Sequence, residues 1–247
     1  MDKLTSPVDV SVAVPSNSTP PQRRKRKSSK IALRVLGLLA ALGLIAQLAY
    51  TFSGSSKWEY VSAKDGITVY SMKTPGRNLK KFKAVFTVHS TLSRFVMFAE
   101  DSKTDLGIGL YDVRDIDAPS DRVKWTSCKM PFPKPFKPRQ MVTKTEFSQD
   151  PTSRVLTYRV TASPDKLPPD NCCYRVAVMN NVWNLTPVGH GDIRIEWVTD
   201  VDMGLPYPMA NAAQVPGFYW MGPMIQHFLD RDQYKDAKYS WLREGEQ

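Results

Sequence analysis

The chain has 247 residues, which allows one or two domains, and its hydrophobic content of 42% is enough for a buried core. This composition excludes a chain that is disordered throughout. The formal net charge is +10, but residues 1–50 carry eight basic and two acidic side chains, a net +6, which leaves +4 for residues 51–247. We therefore expect no nucleic-acid partner, because phosphate binding needs a concentrated positive face on the folded domain.

Residues 1–30 are predicted to form a disordered basic tail. The string "PSNSTPPQ" has no hydrophobic period, and "RRKRKSSK" follows it. The basic run could also be a nuclear address, but it directly precedes an apolar segment of membrane length, which disfavours that interpretation.

Residues 31–52 are predicted to form a transmembrane signal anchor. The run "IALRVLGLLAALGLIAQLAY" has 20 residues and is interrupted only by Arg34 and Gln47, and a helix of about 20 apolar residues crosses a bilayer. Arg34 lies in the first turn and could reach the headgroups, while Tyr50 and Phe52 lie where interfacial rings are common. Residues 53–57, which include "SGSS", are predicted to be a flexible linker.

The basic cluster predicts the orientation of a single-pass protein. Positive flanks favour the cytoplasmic side, so the N-terminus would be cytoplasmic and the C-terminal domain would be periplasmic, lumenal or extracellular. The alternative is a secreted protein released by signal-peptide cleavage, because the fully apolar centre, residues 35–46, is short enough for a signal peptide. The only weak cleavage candidate is Thr51-Phe52-Ser53.

The remaining chain predicts short strands, one helix, more strands and a closing helix. "GITVYSM" and "LKKFKAVFTVHS" indicate a hairpin across "KTPGRN", and "STLSRFVMFAEDS" has capping residues and helical spacing. Further strands are predicted in "RVKWTSCKM", "RQMVTKTEFS", "RVLTYRVTA", "YRVAVMNNVWNLT" and "DIRIEWVTDVDM", each bounded by turn residues. From Pro208 the spacing is helical again, with Pro216 and Pro223 expected to break this helix into pieces.

This order predicts an α+β fold in which a strongly curved antiparallel sheet and a long C-terminal helix enclose a space. Several strands carry apolar or aromatic residues on both faces. One face could pack outward while the other lines a cavity.

Three strings resemble the START family of steroidogenic-acute-regulatory-related lipid-transfer domains. "W-x6-DGITVY", from Trp58, resembles its opening strand. "RVKWTSCKMPFPKPFKPRQMV" resembles its paired strands joined by a proline-rich elbow, and "GLPYPMANAAQVPGFYWMGPM" resembles its entry into the C-terminal helix. The resemblance implies a helix-grip fold over residues 58–240, with one lipid, a sterol or a phospholipid, held in an internal tunnel. The family usually has an acidic residue where this chain has Gln140.

The resemblance implies a non-catalytic lipid-binding or lipid-transfer domain with a lipid as its ligand. Together with the apolar segment, it predicts a membrane-anchored domain that contacts the membrane through residues 31–52. Two alternatives stay open: an enzyme of the helix-grip superfamily, cyclase-like or hydrolase-like, acting in the same cavity, and a protein-interaction module. His89, His190 and His227 have no spaced partners typical of a triad or a metal cluster. We predict no catalytic residues. Protein partners are not indicated.

The predicted cavity residues are aromatic side chains spread over several strands and the closing helix, together with one methionine and one arginine that a lipid headgroup could pair. For each of them ordinary core packing is the alternative and the more common explanation. The predicted set is Trp125, Tyr158, Arg175, Trp183, Trp197, Tyr207, Met209 and Phe218.

The chain has three cysteines, Cys128, Cys172 and Cys173. An odd count with two adjacent residues does not match a disulfide framework, and no spacing resembles a zinc site. We interpret all three as buried or partly buried thiols. We predict no metal site and no cofactor.

Overall fold

The structure is a computed structural model that describes residues 25–101 and 107–244. The chain divides into two compact units, Met1–Leu48 and Ala49–Gln247. Most of the predicted disordered tail, residues 1–24, lies outside the described residues. The basic end of that tail is helical, because the first helix begins at Lys25.

Helix α1, Lys25–Phe52, contains the predicted membrane segment. Its 23 residues from Lys30 to Phe52 are long and apolar enough to cross a membrane, by length and composition alone. Its large apolar side chains, among them Leu36, Leu39 and Leu44, are exposed. A signal sequence near the N-terminus meets the same criterion, so helix α1 agrees with both predicted interpretations of this segment.

The second unit is built on one sheet of eleven strands, which is antiparallel except for the pairing of β8. Nine of them follow the spatial order β1-β2-β3-β10-β9-β7-β6-β5-β4, with β11 paired to β9 and the short β8 paired in parallel to β6. The strands are β1 (Glu59–Lys64), β2 (Ile67–Met72), β3 (Lys81–His89), β4 (Tyr111–Ser120), β5 (Val123–Met130), β6 (Arg139–Gln149), β7 (Leu156–Ala162), β8 (Tyr174–Arg175), β9 (Val178–Gly189), β10 (Asp192–Thr199) and β11 (Val201–Asp202).

Local sequence explains the tight turns of this sheet. Asp65 and Gly66 join β1 to β2 with positive φ angles of 51° and 79°, the conformation that a two-residue hairpin requires and that an Asp-Gly pair adopts readily. The predicted hairpin of β2 and β3 is confirmed. Strand β1 is an addition to the prediction, since its residues are mostly exposed and do not alternate clearly.

Alternation along β2 and β3 directs their apolar side chains into the main core. Ile67, Val69, Phe82, Ala84 and Phe86 are buried on one face of these strands. They pack with apolar residues of the central strands β9 and β10 and with both helices of the unit. A second, smaller buried cluster lies nearer the other edge of the sheet, at β5 and β6, and consists of Cys128, Met141 and Val176.

Helix α2, Leu92–Glu100, is held at its N-terminus by two side chains. The Thr91 hydroxyl accepts from the Arg94 backbone N–H, and the Glu244 carboxylate accepts from the backbone N–H groups of Leu92 and Ser93 at 2.9 Å each. A carboxylate at this end also interacts favourably with the helix dipole. The C-terminal segment therefore fixes α2 against the sheet.

Helix α3, Tyr207–Leu229, is continuous over 23 residues, so the predicted break at Pro216 and Pro223 is wrong. Proline removes one backbone hydrogen bond but its fixed φ is helical, and burial of Phe218, Ile225 and Leu229 holds the helix on the sheet. Gly222 permits close approach, because a Cβ at this position would lie 2.4 Å from Cδ1 of Ile67.

The residues that follow the apolar part of α1 are bonded into the second unit. Lys73 donates from its ammonium to the carbonyl oxygens of Thr51 and Ser53, and the Gly76 backbone N–H donates to the Thr51 carbonyl at 2.8 Å. The Tyr50 ring stacks on Tyr207 with centroids 5.1 Å apart. Residues 50–53 are thus part of this unit's contact network.

Cys172 and Cys173 form a disulfide with each other, which corrects the interpretation of these residues as free thiols. The turn that begins at Asp170 brings them together, because the Asp170 side chain accepts from the Cys172 N–H and its carbonyl from the Cys173 N–H. The Asp170 carboxylate lies close to both sulfurs, but the sulfurs are bonded to each other. Cys128 is a buried thiol outside this disulfide, as predicted.

Asp200 links the β2–β3 connection to the end of β10. Arg77 donates two hydrogen bonds to its carboxylate, at 2.8 and 3.0 Å, and the Lys81 ammonium lies 3.0 Å away. Burial alone would raise the pKa of Asp200, but the hydrogen bonds and charges of Arg77 and Lys81 hold that pKa below its usual value.

We predict that Asp200→Asn lowers the free energy of unfolding by about 2 kcal/mol, because charge-assisted hydrogen bonds are lost and two cations are left without their anion. A carboxylate with a lowered folded-state pKa stabilises the fold above its unfolded pKa of about 3.9 and loses that contribution as the pH falls. Denaturant unfolding at pH 7 and pH 3 would therefore show a smaller difference between variant and parent at pH 3. Asp65→Asn, in an exposed ion pair, is the control, and equal effects of the two substitutions would contradict the prediction.

Candidate functional site

A cavity of about 300 Å³ lies in the second unit between the inner face of the sheet and helices α2 and α3. Strands β4, β5, β6, β7, β9 and β10 all contribute lining residues. Members of both buried clusters, such as Phe95 and Cys128, face it. The cavity is thus the space between two cores that share one sheet.

An aromatic cluster forms one wall. The rings of Trp183 on β9 and Trp197 on β10 are cross-strand partners and stack with centroids 4.1 Å apart. Phe95 of α2 contacts Trp183 at 5.8 Å, and Phe218 of α3 meets Trp197 edge-on at 4.8 Å. Because one ring pair contacts both helices, it fixes the distance of those helices from the sheet.

The opposite wall comes from alternating positions of β5 and β6. Thr126, Cys128 and Met130 line the cavity from β5, and Met141 and Thr143 line it from β6. The Thr126 and Thr143 hydroxyls are 3.1 Å apart and hydrogen-bond each other. This wall is therefore largely apolar, with these two hydroxyl groups satisfied by one another.

One ion pair also lines the cavity. The Lys124 ammonium lies 3.4 Å from the Asp115 carboxylate and donates to the Glu100 carbonyl at 3.1 Å. Glu100, the last residue of α2, accepts a hydrogen bond from the Tyr239 hydroxyl at 2.9 Å, and burial raises the pKa of its carboxyl. The pKa of Tyr239 is raised as well, mainly by burial and further by its hydrogen bond to Glu100.

Two residues that line the cavity each have a buried polar atom without a hydrogen-bond partner in the described part of the chain. These atoms are Oδ1 of Asn181 on β9 and Nε1 of Trp197 on β10. An unsatisfied buried polar group costs about 1–3 kcal/mol.

Trp220 of α3 lines the cavity and is also 58% exposed. The cavity therefore reaches the surface beside this residue. Ile108 and Leu110, which follow the segment outside the described residues, line the same cavity.

Three of the eight residues predicted for the cavity line it: Tyr158, Trp183 and Trp197. Phe218 is buried one layer behind, against Trp197. Tyr207 stacks on Tyr50, and Met209 is half exposed.

Trp125 and Arg175 also lie outside the lining. Trp125 points to the other face of β5, where the Lys144 and Lys166 ammonium groups lie over its ring. Arg175 donates to Gln140 Oε1 and to the carbonyl oxygens of Pro164, Leu167 and Pro168. Its guanidinium is occupied by protein acceptors.

Gln140 stands where the START family usually has an acidic residue, and it accepts hydrogen bonds from Arg175 as an acidic side chain would. It is buried, and its amide oxygen accepts from Nε and Nη2 of Arg175 at 3.2 and 3.0 Å. A neutral acceptor suffices here because three backbone carbonyls also surround this cation. The pair joins β6 to β8.

The elbow of residues 131–138 is held by Arg139, which is almost fully buried. Its guanidinium lies over the rings of Phe132 and Tyr174, 4.2 and 5.1 Å from their centroids. It donates to the carbonyl oxygens of Lys137, Met203 and Gly204. Arg139 therefore connects the elbow to the segment that enters α3.

No histidine is among the described residues that line this cavity. His89 is exposed and pairs with Asp192 at 2.9 Å, as an ordinary surface interaction. His227 lies in the last turn of α3. The polar part of this lining thus consists of hydroxyls, the Asn181 amide, the Asp115–Lys124 pair and three indoles.

Comparison with solved structures identifies the fold. The STAR-related lipid transfer protein of Xanthomonas axonopodis is similar with a TM-score of 0.65 and 18% identity, over 70% of this chain and 99% of that one. Human STARD10 has a TM-score of 0.63 and 16% identity, over 77% of this chain and 80% of that one. Human StAR-related lipid transfer protein 5 has a TM-score of 0.59 and 14% identity, over 81% and 97%.

The second unit therefore has the START-like helix-grip fold, as the resemblance implies. No family model matches the chain, and no curated protein matches it. At these identities the similarity defines the architecture alone.

We predict that Arg139→Lys lowers the free energy of unfolding by about 2 kcal/mol. Lysine keeps the charge but cannot donate to three carbonyls while lying flat between two rings. Thermal or denaturant unfolding measures the loss, with Lys134→Arg on the exposed surface of the elbow as the control. If the Arg139→Lys variant were as stable as the parent, the connecting role of this guanidinium would be wrong.

Proposed function

We propose that this chain is a membrane-anchored, non-catalytic lipid-binding domain that holds one apolar lipid in the cavity beneath α3. The cavity itself carries the proposal. Protein interiors are close-packed and contain few spaces larger than a water molecule. A largely apolar space of about 300 Å³ beneath α3 departs from that packing, so an occupant is expected.

The lining favours an apolar occupant. Rings from α2, β7, β9 and β10 and thioethers from β5, β6 and β9 make up much of its wall, and apolar cavities bind water poorly. Transfer of an apolar ligand surface into such a site is favourable by about 25 cal/mol per Å². The structural similarity to STAR-related lipid transfer proteins supports the same assignment.

The volume favours a compact lipid. Ligand cavities in proteins are about 300–1,000 Å³, and this one is at the lower limit. A sterol-like ring system or a single acyl chain fits this size better than a phospholipid with two chains. Entry beside Trp220 would require α3 or the connection near Leu110 to move.

An enzyme acting in the same cavity is the alternative. The charged pair among the described lining residues, Asp115 with Lys124, is already matched internally, and the ammonium also donates to a backbone carbonyl. Such an arrangement neutralises both groups and leaves neither oriented toward a substrate. We therefore favour binding without chemistry.

We expect the full-length chain to retain a lipid adduct in native mass spectrometry after release from detergent micelles. Val160→Trp, which directs a large ring from β7 into the cavity, should lower the occupied fraction about tenfold, since the added volume competes with ligand. Val178→Trp, at an exposed position of β9, should leave it unchanged. Folding of each variant is checked by circular dichroism, and a folded parent without any lipid adduct would refute the proposed function.

We further infer that α1 stays attached as a single membrane anchor, with the C-terminal domain on the far side from the cytoplasm. The basic residues before Ile31 and the length of the apolar segment support this. The contacts of Thr51 and Ser53 with Lys73 favour an intact junction, because cleavage at Thr51-Phe52-Ser53 would remove residues bonded into the domain.

We expect the chain in sealed vesicles to resist alkaline carbonate extraction. The double substitution Leu39→Arg and Leu42→Arg should release it, because a charge at the centre of a transmembrane helix costs about 2.5–3.5 kcal/mol. Ser55→Arg, outside the apolar segment, should not. External protease should leave the C-terminal domain intact in vesicles whose lumen corresponds to the far side, and digestion there would reverse the proposed orientation.

A further inference from the structure

We propose that the folded domain sits directly on the bilayer and contacts the lipid headgroups through one defined surface. This membrane-facing surface consists of the β2–β3 connection, residues 73–80, and the first turns of α3. The inference rests on the proposed anchoring through α1 and deepens it, because it replaces a domain that moves freely on a flexible linker with one that is held at the membrane.

The last residues of the apolar helix are bonded to the β2–β3 connection. The candidate membrane segment ends at Phe52, within the second unit. The Thr51 carbonyl accepts from the Gly76 backbone N–H at 2.8 Å and from the Lys73 ammonium at 3.1 Å. The Thr51 hydroxyl donates to Asn78 Oδ1 at 2.9 Å. When α1 spans the bilayer, the β2–β3 connection must therefore lie at the membrane boundary.

Tyr50 brings the start of α3 to the same place. Its ring stacks on Tyr207, the first residue of α3, and its hydroxyl accepts from the Asn211 amide at 3.2 Å. Asn211 also donates to the Asn78 carbonyl at 3.1 Å, and its amide oxygen accepts from the Lys80 backbone N–H at 3.0 Å. One asparagine thus joins α3 and the β2–β3 connection to a residue of the membrane segment, so the start of α3 cannot leave the boundary without breaking these bonds.

The chemistry of this surface fits a lipid interface. Helix α3 has no Asp, Glu, Lys or Arg. Its exposed residues near the start are Pro208, Met209, Ala212 and Ala213. The β2–β3 connection carries three basic and no acidic side chains, and although Arg77 is paired with Asp200, an excess of positive charge remains. Apolar side chains beside Lys and Arg are typical of elements that lie in the headgroup region.

The sheet provides a matched control position. Strand β3 begins beside the β2–β3 connection and has nine residues, which span about 26 Å at about 3.3 Å per residue. At its far end, Asp192 of β10 pairs with both His89 of β3 and Gly189 of β9. Val188 precedes Gly189 and is 50% exposed, as Met209 is. The two apolar side chains are therefore equally exposed but lie near opposite ends of β3.

The experiment uses the full-length chain in vesicles of phosphatidylcholine and phosphatidylglycerol, with Met209→Cys or Val188→Cys labelled with a bimane fluorophore. The parent chain, labelled in parallel, gives the background from its own cysteines. A phospholipid with a nitroxide on its headgroup quenches fluorophores at the membrane surface over a short range. We expect quenching to be about threefold stronger at position 209 than at position 188, because the length of β3 separates the two.

Lys73→Met tests whether the bonds of residues 50–53 hold this surface in place. The substitution removes the ammonium that donates to the Thr51 and Ser53 carbonyls and keeps a side chain of similar length. We expect it to lower the quenching at position 209 about twofold, since buried carbonyls lose their donor. Lys57→Met, at an exposed position nearby, should leave the quenching unchanged. If Lys73→Met does not fold by circular dichroism, Tyr50→Leu takes its place, because it removes the ring stack and keeps the segment apolar.

The outcomes separate this inference from the proposed function. Quenching at position 209 no stronger than at position 188, in a chain that resists carbonate extraction, would overturn the inference and leave the anchor standing. Parent-level quenching in a folded Lys73→Met or Tyr50→Leu variant would overturn it as well. Release of the parent chain by carbonate would contradict the anchor and this inference together, while the lipid adduct in native mass spectrometry would still report on the cavity.

Discussion

The buried guanidinium of Arg139 is the interaction on which the cavity end of the sheet depends. A cation removed from water must be surrounded by acceptors or aromatic faces, and here rings come from the elbow and from β8 while carbonyls come from Met203 and Gly204. These groups are distant in sequence. The requirement to satisfy one charge therefore fixes the β5–β6 connection against the entry of α3, and with it the two elements that bound the cavity.

The cavity exists because α3 covers only part of the sheet. This helix packs on β2 and β3, where the main core is dense, while the inner faces of β5 and β6 build a separate cluster around Met141. The Trp183–Trp197 stack lies between the two. Since its rings contact α2 and α3 as well, the helices cannot move closer to β5 without unstacking them, and the space stays open.

Alternation and turn residues are sufficient to predict most of the strands, the hairpin of β2 and β3, and the closing helix, because these depend on local sequence. They do not predict which face of each strand points inward. Trp125 is a cavity candidate because of its ring, yet Lys124 and Thr126 face the cavity from β5 and Trp125 does not. The continuity of α3 through two prolines also depends on tertiary packing, which sequence spacing does not report.

Asn181 escapes sequence-based prediction for a related reason. It shares a face with Trp183, and period-two counting from that residue identifies it, but a polar side chain among aromatic neighbours is more often at the surface. A buried amide oxygen among rings costs stability unless something satisfies it. On β6 and β8 the fold provides such partners itself, since Gln140 and Arg175 satisfy each other. Asn181 Oδ1 has no such partner in the described residues, although other atoms of this side chain line the cavity, so the fold leaves the stability cost of this amide oxygen uncompensated at this position.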